Sequence, residues 1–340
     1  MRQTLVLFKF VVALSSILAF SVCAENVDAL ADKKEAQVWL KKIQFAAQRL
    51  NYSGTFVYQQ ANQMRSSRIT HLLDGKNEIE KLEILDGKPR EYIRNNEEII
   101  CYVPEAKIVL IEKRITQDVF PAILAANSTE LAEYYNMKKG ETGRIAGFDS
   151  QAIVLEPKDN LRYGYKLWAE KSTGLLLRAQ TLNEKNEVVE QISFTQLVIG
   201  GIDRRTLKTS FPNTSTWHVE NAEMSQANLS GWTVKSVPAG FKKIRELKRL
   251  ISDVSASNST SASGHALSQR EVSQIVFSDG LAAISVFIEP GTQSRTEGSM
   301  QQGAMNIIGK RQGDFWLTIV GEVPLAAIKQ VANSIEFKIK

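Results

Sequence analysis

The residue types that carry most enzymatic and metal chemistry are few and scattered in this chain of 340 residues, which has three histidines and two cysteines. His71, His218 and His265 stand far apart, and their spacing matches no zinc or transition-metal motif. The chain also has neither a glycine-rich phosphate loop nor the Gly-x-Ser-x-Gly elbow of a hydrolase. We therefore expect a protein that is not an enzyme and that needs no metal and no cofactor.

The most concentrated charge in the sequence is a basic stretch in its last third. Glu246 is the one acidic residue among its basic residues. These basic residues are Lys235, Lys242, Lys243, Arg245, Lys248 and Arg249. Such a stretch is either a solvated face or a site for lipid phosphates or the acidic residues of a partner. As candidate partner-binding or phosphate-binding residues we take Lys242, Lys243, Arg245, Lys248 and Arg249.

A second set of candidate residues is apolar and lies in predicted strands. Alternate residues of a strand share a face, and the pairs concerned are Phe56 with Tyr58, Leu82 with Ile84, and Ile100 with Tyr102. A curved sheet capped by helices would leave an apolar cavity that holds a lipid by burial of surface alone. The alternative is that these side chains pack in an ordinary core under the helices.

The elements that must position these residues begin with a helix. Asp32 followed by Glu35 is a capping box, and apolar residues at helical spacing follow it as far as Leu50. Residues 53–112 are short β-rich runs separated by turn residues every 9 to 12 positions, a pattern that predicts an antiparallel meander. Two short helices are predicted within 120–135, after which the meander resumes as far as Ile199.

The remaining chain predicts a second, smaller domain. Apolar periodicity fades over residues 204–230, which we take as an irregular linker. Beyond it, the turn Ser278-Asp279-Gly280 joins two runs of a hairpin, and Pro324 begins a final amphipathic helix. The expected organisation is therefore a β domain over 25–203, a linker over 204–230 and an α+β domain over 231–340. A Ser-rich insert at 255–264 should be a loop.

The first 24 residues have the pattern of a secretory signal peptide. Arg2 and Lys9 precede or border an 11-residue apolar run, and small residues close the segment before Glu25. An uncleaved anchor and lipid attachment at Cys23 are the alternatives. Cleavage after Ala24 leaves 40 basic and 37 acidic residues, a net charge of +3, with Cys101 as the one remaining cysteine. No intramolecular disulfide is then expected, and Cys101 should be a buried strand residue rather than a reactive thiol.

Several sequence segments resemble the RseB/MucB family of periplasmic regulators. In the first domain they are residues 51–58 (NYSGTFVY), 86–91 (DGKPRE) and 101–104 (CYVP). In the second domain they are residues 277–289 (FSDGLAAISVFIE) and 320–324 (VGEVP). The two sets occur in the expected order, and the resemblance extends over essentially the whole chain after residue 24.

The resemblance implies a fold and a function. The implied fold is α+β, with a large N-terminal half-open antiparallel β-barrel closed by helices, similar to lipoprotein carriers, and a small C-terminal α+β domain. The implied function is to bind the periplasmic segment of a membrane-spanning anti-sigma factor of the RseA or MucA kind and to shield it from the site-1 protease. The sigma-E envelope-stress response would then stay silent until lipid or lipopolysaccharide releases the segment.

The resemblance leaves one rival function open, which is a periplasmic carrier of lipids or lipoproteins. Nucleic-acid binding is not expected, because the chain is predicted to be exported and no groove-reading motif accompanies its basic residues. Oligomeric state is open as well, and a homo-oligomer is compatible with the sequence.

Export is directly testable. Protein recovered from the periplasm of an expressing bacterium is expected to begin at Glu25, because the small residues ahead of it suit the signal peptidase. Intact-mass spectrometry measures this, and Ala24→Arg is the matched variant that should keep residues 1–24. A wild-type mass that includes residues 1–24 would indicate an anchor, and a mass with acyl chains on Cys23 would indicate a lipoprotein.

Overall fold

The computed structural model describes residues 31–113, 128–222, 224–226, 231–252, 269–291 and 295–338. The predicted signal peptide, the first half (120–127) of the predicted helical segment 120–135 and the Ser-rich insert 255–264 lie outside these residues. None of the described helices is long and apolar enough to span a bilayer.

The first part of the chain forms one sheet of twelve strands. In chain order they are β1 (Tyr52–Gln60), β2 (Gln63–Asp74), β3 (Asn77–Ile84), β4 (Arg90–Asn95), β5 (Glu98–Val103), β6 (Ile108–Lys113), β7 (Tyr135–Ile145), β8 (Phe148–Pro157), β9 (Gly164–Glu170), β10 (Leu176–Leu182), β11 (Val188–Ile199) and β12 (His218–Ala222). Their order in space is β12-β6-β5-β4-β3-β2-β1-β11-β10-β9-β8-β7. Neighbours are antiparallel except for β12, which is parallel to β6. Over the described residues β7 and β12 are the two edges, so the sheet is open.

The turns of this sheet confirm the predicted meander. The tight β2–β3 turn has Gly75 at φ 65°, and the β4–β5 turn has Asn96 at φ 54°. Glycine and asparagine are the residues that enter this left-handed region most readily. The side-chain carbonyl of Asn96 also accepts a hydrogen bond from the Glu78 backbone amide at 3.0 Å, which ties the turn to β3.

Helices cover one face of this sheet. The helix α1 (31–49) buries Ala36, Leu40, Ile43 and Ala47 at helical spacing, as the sequence predicts. These side chains pack with buried residues of β8 and β9 such as Leu155, and a second helix, α2 (Ser128–Tyr134), joins the same core. We call this covered side the inner face of the sheet.

The second part of the chain forms a smaller sheet of seven strands. They are β13 (Met224–Gln226), β15 (Lys242–Ser252), β16 (Gln269–Ser278), β17 (Ala283–Pro290), β18 (Gly298–Gln302), β19 (Met305–Gln312) and β20 (Phe315–Gly321). Their order is β13-β15-β16-β17-β20-β19-β18. The short strands β14 (Trp232–Val234) and β21 (Ile335–Phe337) pair separately. The predicted hairpin is confirmed, since β16 and β17 are antiparallel.

The final helix is also confirmed. The helix α3 (Leu325–Asn333) follows Pro324, which is its N-cap residue. It buries Ala327, Ile328, Val331 and Ala332 against the apolar face of the second sheet. Because these positions repeat at three-residue and four-residue intervals, they form one stripe along the helix.

The segment 204–230 contains more regular structure than its composition suggests. A 3₁₀ helix (Arg204–Leu207) opens it, and β12 and β13 follow. β12 belongs to the first sheet and β13 to the second, so the chain passes between the sheets inside this segment.

The described residues are thus mostly β with a few helices, arranged as two parts. This corrects the α+β expectation, since the helices form a small share of both parts. The first sheet does not close into a barrel, and its similarity to lipoprotein carriers stays a prediction.

Candidate functional site

Four of the six predicted lipid-binding residues lie on the inner face of the first sheet. Residues opposite one another in antiparallel strands point to the same side. Phe56 in β1 lies opposite Ser67 in β2, and Ser67 lies opposite Ile84 in β3. The four inner-face residues are Phe56, Tyr58, Leu82 and Ile84.

The other two predicted residues, Ile100 and Tyr102, lie on the opposite, outer face. Tyr102 in β5 is opposite Glu91 in β4, and Glu91 is opposite Glu83, the neighbour of Ile84 in β3. Since neighbours in a strand point to opposite sides, Tyr102 and Ile100 point away from the inner face. The six candidates therefore lie on two faces of the sheet, because alternation fixes faces within a strand but not between strands, and lipid binding by any of them stays a prediction.

On the inner face, Phe56 is a core residue. It is 4% exposed and packs edge-on against Phe194, with their ring centroids 6.0 Å apart. Ile69 of β2 and Ala46 of α1 belong to the same apolar cluster, and Leu82 packs against this cluster. This packing favours the core interpretation for Phe56 and Leu82. Tyr58 and Ile84 are half-buried.

On the outer face, Tyr102 belongs to an aromatic cluster. Its ring lies 6.1 Å from that of Phe211 and 6.5 Å from that of Trp217. Both partners come from the segment that leads from the 3₁₀ helix to β12. This segment therefore covers part of the outer face.

A buried ion pair fastens the same segment to the sheet. Lys81 is 3% exposed, lies 3.4 Å from Glu91, and donates a hydrogen bond to the Lys208 carbonyl at 2.9 Å. Glu91 accepts hydrogen bonds from the Ser210 amide at 3.0 Å and the Thr209 hydroxyl at 2.8 Å. Burial raises the pKa of Glu91, but these hydrogen bonds and Lys81 outweigh it and hold the pKa below its usual value. The carboxylate thus stays ionised where the segment crosses the sheet.

The basic stretch lies on β15, and several of its cations have acidic partners. Lys242 pairs with Glu130 of α2 at 2.8 Å, and Lys248 pairs with Glu271 at 2.6 Å. Lys243 pairs with Glu246. Arg245 is half-buried in β15, and the backbone of Arg249 lies opposite Val272 of β16. Because these lysines pair with carboxylates of the protein itself, the structure favours the interpretation of a solvated face. Binding of a partner or a phosphate by these residues stays a prediction.

The two parts of the molecule meet at a buried ion pair. The Arg162 side chain is fully buried, and its Nη1 lies 3.0 Å from Oδ2 of Asp279, which is 1% exposed. The same guanidinium donates from Nη2 to the Ala239 carbonyl at 2.6 Å and from Nε to Asp159 at 3.0 Å. The Tyr135 hydroxyl donates to Asp279 at 3.2 Å. The pair therefore has hydrogen-bond partners in both parts of the molecule, as a buried pair requires.

Apolar and aromatic contacts surround this pair. The guanidinium of Arg162 lies 4.8 Å from the ring centroid of Tyr134 and 5.6 Å from that of Phe241. Leu281, from the β16–β17 turn, is buried in the core of the first part, whereas Leu161 packs against the core of the second. Each part thus inserts a leucine into the other, and burial of these side chains adds to the docking energy.

A second interdomain contact joins β1 and β11 to the β18–β19 turn. Gln60 donates to the Gln302 carbonyl at 3.0 Å and to Glu190 at 3.4 Å. Gly303 lies in the β18–β19 turn and has φ 57°. A Cβ added at Gly303 would lie 2.2 Å from Cγ of Gln60. Glycine is therefore required by both the backbone angle and the close approach.

Two carboxyl groups near this contact, those of Glu190 and Glu322, have raised pKa values. Burial raises the pKa of Glu190, which the Tyr58 hydroxyl and Gln60 only partly offset through hydrogen bonds. Burial and then the charge of Glu190 raise the pKa of Glu322 to about 7, although part of the Glu322 side chain still reaches solvent. The Glu322 carboxyl group is consequently protonated in acid and loses its proton near neutral pH.

Beside the interface lies a cleft of about 650 Å³ with walls from both parts. The first part contributes residues between 155 and 164 and between 182 and 186, and the second contributes Gln301, Asn306, Pro324 and Leu325. The Asn306 side chain donates to the Tyr163 hydroxyl at 3.2 Å across the cleft floor. The lining of the cleft mixes polar and charged residues with apolar ones, which suits a peptide, since a peptide offers both backbone hydrogen-bonding groups and apolar side chains.

Family models account for nearly the whole described chain. The MucB/RseB N-terminal domain matches residues 35–225, and the MucB/RseB C-terminal domain matches residues 226–336. The chain belongs to the MucB/RseB family. This confirms the resemblance that the sequence motifs indicated.

Relatives and solved structures agree with this membership. The MucB/RseB chain is 25% identical over 326 residues to the sigma-E factor regulatory protein RseB of Haemophilus influenzae, covering 94% of this chain and 97% of that one. It is 27% identical over 307 residues to the sigma factor AlgU regulatory protein MucB of Pseudomonas aeruginosa, covering 88% and 90%. The crystal structure of MucB in complex with MucA(peri) is similar at 25% identity and a TM-score of 0.67, covering 90% of this chain and all of that one. The Pseudomonas aeruginosa MucA/MucB complex is similar at 26% identity and 0.68, with the same coverage.

Sequence reasoning missed the two residues on which the interface of this MucB/RseB chain depends. Asp279 was recognisable as a turn residue, because Asp-Gly marks a hairpin. Its ion pair with Arg162 was not, because 117 positions separate the two residues. No local pattern signals a contact over that distance.

The Arg162–Asp279 pair makes a prediction about stability. Arg162→Met keeps the aliphatic stem but leaves the Asp279 carboxylate buried without its cation, which should cost about 3–5 kcal/mol. Urea unfolding measures this, and limited proteolysis reports separation of the two parts. Arg205→Met is the control, since Arg205 is exposed and pairs only with exposed Asp203. Adding Asp279→Asn to Arg162→Met should recover part of the loss, and no recovery would contradict the role given to the pair.

The Glu190–Glu322 contact makes a prediction about pH. Because the folded-state pKa of Glu322 lies above its ordinary value of 4.5, its contribution to stability is full below pH 4.5 and is lost as pH rises through about 7. Melting temperatures between pH 5 and pH 8 should therefore fall as pH rises, and Glu322→Gln should flatten the dependence. Glu336→Gln, at an exposed ion pair with Lys235, is the control. Equal pH dependence in wild type and Glu322→Gln would refute the assignment.

Proposed function

We propose that this protein is a negative regulator of a sigma-E envelope-stress response and acts in the periplasm. It binds the periplasmic segment of a membrane-spanning anti-sigma factor. The observation that carries this function is the similarity, over 90% of the chain and through both parts, to MucB in crystal structures with MucA. Regulation by binding needs no catalytic group, in keeping with the sparse chemistry of the sequence.

The cleft between the two parts is our proposed contact for the anti-sigma segment. Its lining is mixed polar and apolar, it is large enough for several residues of a peptide, and its walls come from both parts. Exposed Asn160 and Lys185 stand on one wall, and exposed Gln301 stands on the other. A segment bound there would be inaccessible to the site-1 protease, because a protease needs the cleaved chain free to enter its own active site. Binding would also depend on the domain arrangement that Arg162 and Asp279 hold.

Release by lipid or lipopolysaccharide is the second part of the proposal. A lipid that binds better to the protein without the anti-sigma segment shifts the equilibrium away from the complex. The half-buried inner-face residues Tyr58 and Ile84 are the parts of the predicted lipid site that packing leaves accessible. Tyr58 also contacts Glu190 at the domain interface, so an occupant beside it would act on the same contact. The two ligands would thereby compete without overlapping.

Filling the cleft should weaken binding of the anti-sigma segment. Asn160→Trp with Gln301→Trp places bulky rings on opposite walls and should raise the Kd for a synthetic periplasmic segment at least about tenfold. Isothermal titration calorimetry measures this, and a site-1 protease assay should show faster cleavage of the segment. Lys76→Trp, on the exposed β2–β3 turn, is the control.

Two outcomes would count against the proposal. Unchanged affinity in a double variant that melts like wild type would remove the cleft as the contact. If the wild type bound no anti-sigma segment but retained lipid or lipoprotein through purification, the carrier function would replace the regulatory one.

A further inference from the structure

The outward side of α1 exposes apolar side chains that the fold does not use. Val38 and Phe45 are each 64% exposed, among the largest exposures of any apolar residue described. The opposite side of the helix buries Leu40 and Ile43 in the core of the first part. Exposed Phe45 therefore contributes nothing to that core, and its exposure costs solubility unless something covers it.

The exposed apolar residues alternate with cations along one ridge. At about 100° per residue, five residues fall within an arc of about 80° on the helix. They define what we call the α1 ridge, and they are Lys34, Val38, Lys41, Phe45 and Arg49. From the first to the last, the ridge extends about 22 Å, at 1.5 Å per residue. It presents a straight line of three positive charges and two apolar side chains.

The charge of the ridge is not neutralised by the described structure. Its nearest acid in sequence, Glu35, is engaged by Lys139 at 2.8 Å. Within the described ranges, neither Lys34, Lys41 nor Arg49 forms an ion pair. Lys42 beside the ridge donates to the Lys171 carbonyl and lies over the Trp39 ring at 4.7 Å, which adds positive charge at the same edge. Lys242, Lys243 and Lys248 of β15, by contrast, pair with carboxylates.

We propose that the α1 ridge docks on an anionic phospholipid membrane surface. Lipid phosphates would neutralise Lys34, Lys41 and Arg49, while Phe45 and Val38 enter the boundary between headgroups and acyl chains. Long basic side chains keep their charge at the headgroups while their stems cover apolar surface. This combination of basic residues and exposed apolar residues on one helix face is what lies in a membrane interface.

A bilayer fits the ridge better than an acidic protein does. A straight ridge on the outside of the fold meets a plane along its whole length, so all five side chains bind together. An acidic protein would also need pockets for Phe45 and Val38 at the matching spacing. Three cations and two apolar groups give weak, reversible adsorption, which suits a protein that must reach and leave a membrane-embedded partner.

Vesicle sedimentation of the exported protein tests the proposal. Wild type should bind vesicles that contain phosphatidylglycerol, bind phosphatidylcholine vesicles far less, and be released by salt. Lys34→Gln, Lys41→Gln and Arg49→Gln together should lower the partition coefficient roughly a hundredfold, since each cation near an anionic surface contributes about fivefold. Val38→Ser with Phe45→Ser should lower it as well, because the apolar contribution is lost.

Matched variants separate the ridge from bulk charge and bulk apolarity. Lys76→Gln, Lys88→Gln and Lys107→Gln remove the same net charge from exposed sites elsewhere, and Met64→Ser with Val198→Ser remove exposed apolar side chains from β2 and β11. These controls should bind like wild type. Circular-dichroism melts should be alike throughout, because every substituted side chain is exposed.

Three results would overturn the proposal. Equal binding to both kinds of vesicle would indicate uptake of lipid into the protein rather than docking on a charged surface. Ridge variants that bind like wild type would move the contact elsewhere. Ridge variants that keep vesicle binding but lose the anti-sigma segment would assign the ridge to an acidic protein partner. The vesicle assay contains no anti-sigma factor, so its result is independent of the proposed regulatory function.

Discussion

The arrangement of this molecule depends on a buried guanidinium, that of Arg162, which pairs with carboxylates from both parts. A charge without water requires a partner, and removing the partner costs several kcal/mol. Arg162 pairs with Asp159 of its own part and with Asp279 of the other part, and Asp279 is the more deeply buried of the two. The relative position of the two parts is thereby fixed more strictly than apolar contact alone would fix it, because the geometry of a charge-assisted hydrogen bond tolerates little displacement. Because the walls of the cleft come from both parts, the shape of the cleft depends on this ion pair.

Asp279 links local and long-range structure in one side chain. One carboxylate oxygen accepts hydrogen bonds from the Leu281 and Ala282 amides at 2.9 Å and so forms the β16–β17 turn. The other oxygen accepts from Arg162 and Tyr135. The turn that shapes the hairpin therefore also presents Leu281 to the core of the first part. A change in the hairpin turn would therefore also alter the interface between the two parts.

The sequence predicted those features that local patterns determine. The helix α1, the meander turns, the β16–β17 hairpin and α3 followed from spacing and capping residues, and the family from short motifs. The missed features all require knowledge of which strand lies beside which. Alternation correctly paired Ile100 with Tyr102 on one face, but it gives no phase between strands, so it did not reveal that this face is opposite to that of Phe56. The acidic partner of Lys242, Glu130, lies 112 positions away. The segment 204–217 looked irregular because, beyond a few internal hydrogen bonds, the contacts that hold Lys208, Thr209 and Ser210 are made to Lys81 of β3 and Glu91 of β4.

The pairing of β1 with β11 also has a kinetic consequence. Strands β1 to β6 and strands β7 to β11 each pair with sequence neighbours, and only the β1–β11 ladder joins the two sets. Since about 140 residues separate these strands, loop closure makes this ladder slow to form. Gly54 lies in it, where an added Cβ would meet the Gln196 carbonyl oxygen at 2.5 Å. Until the ladder closes, β1 and β11 are unpaired edges, and a newly exported chain is most exposed to aggregation at this stage.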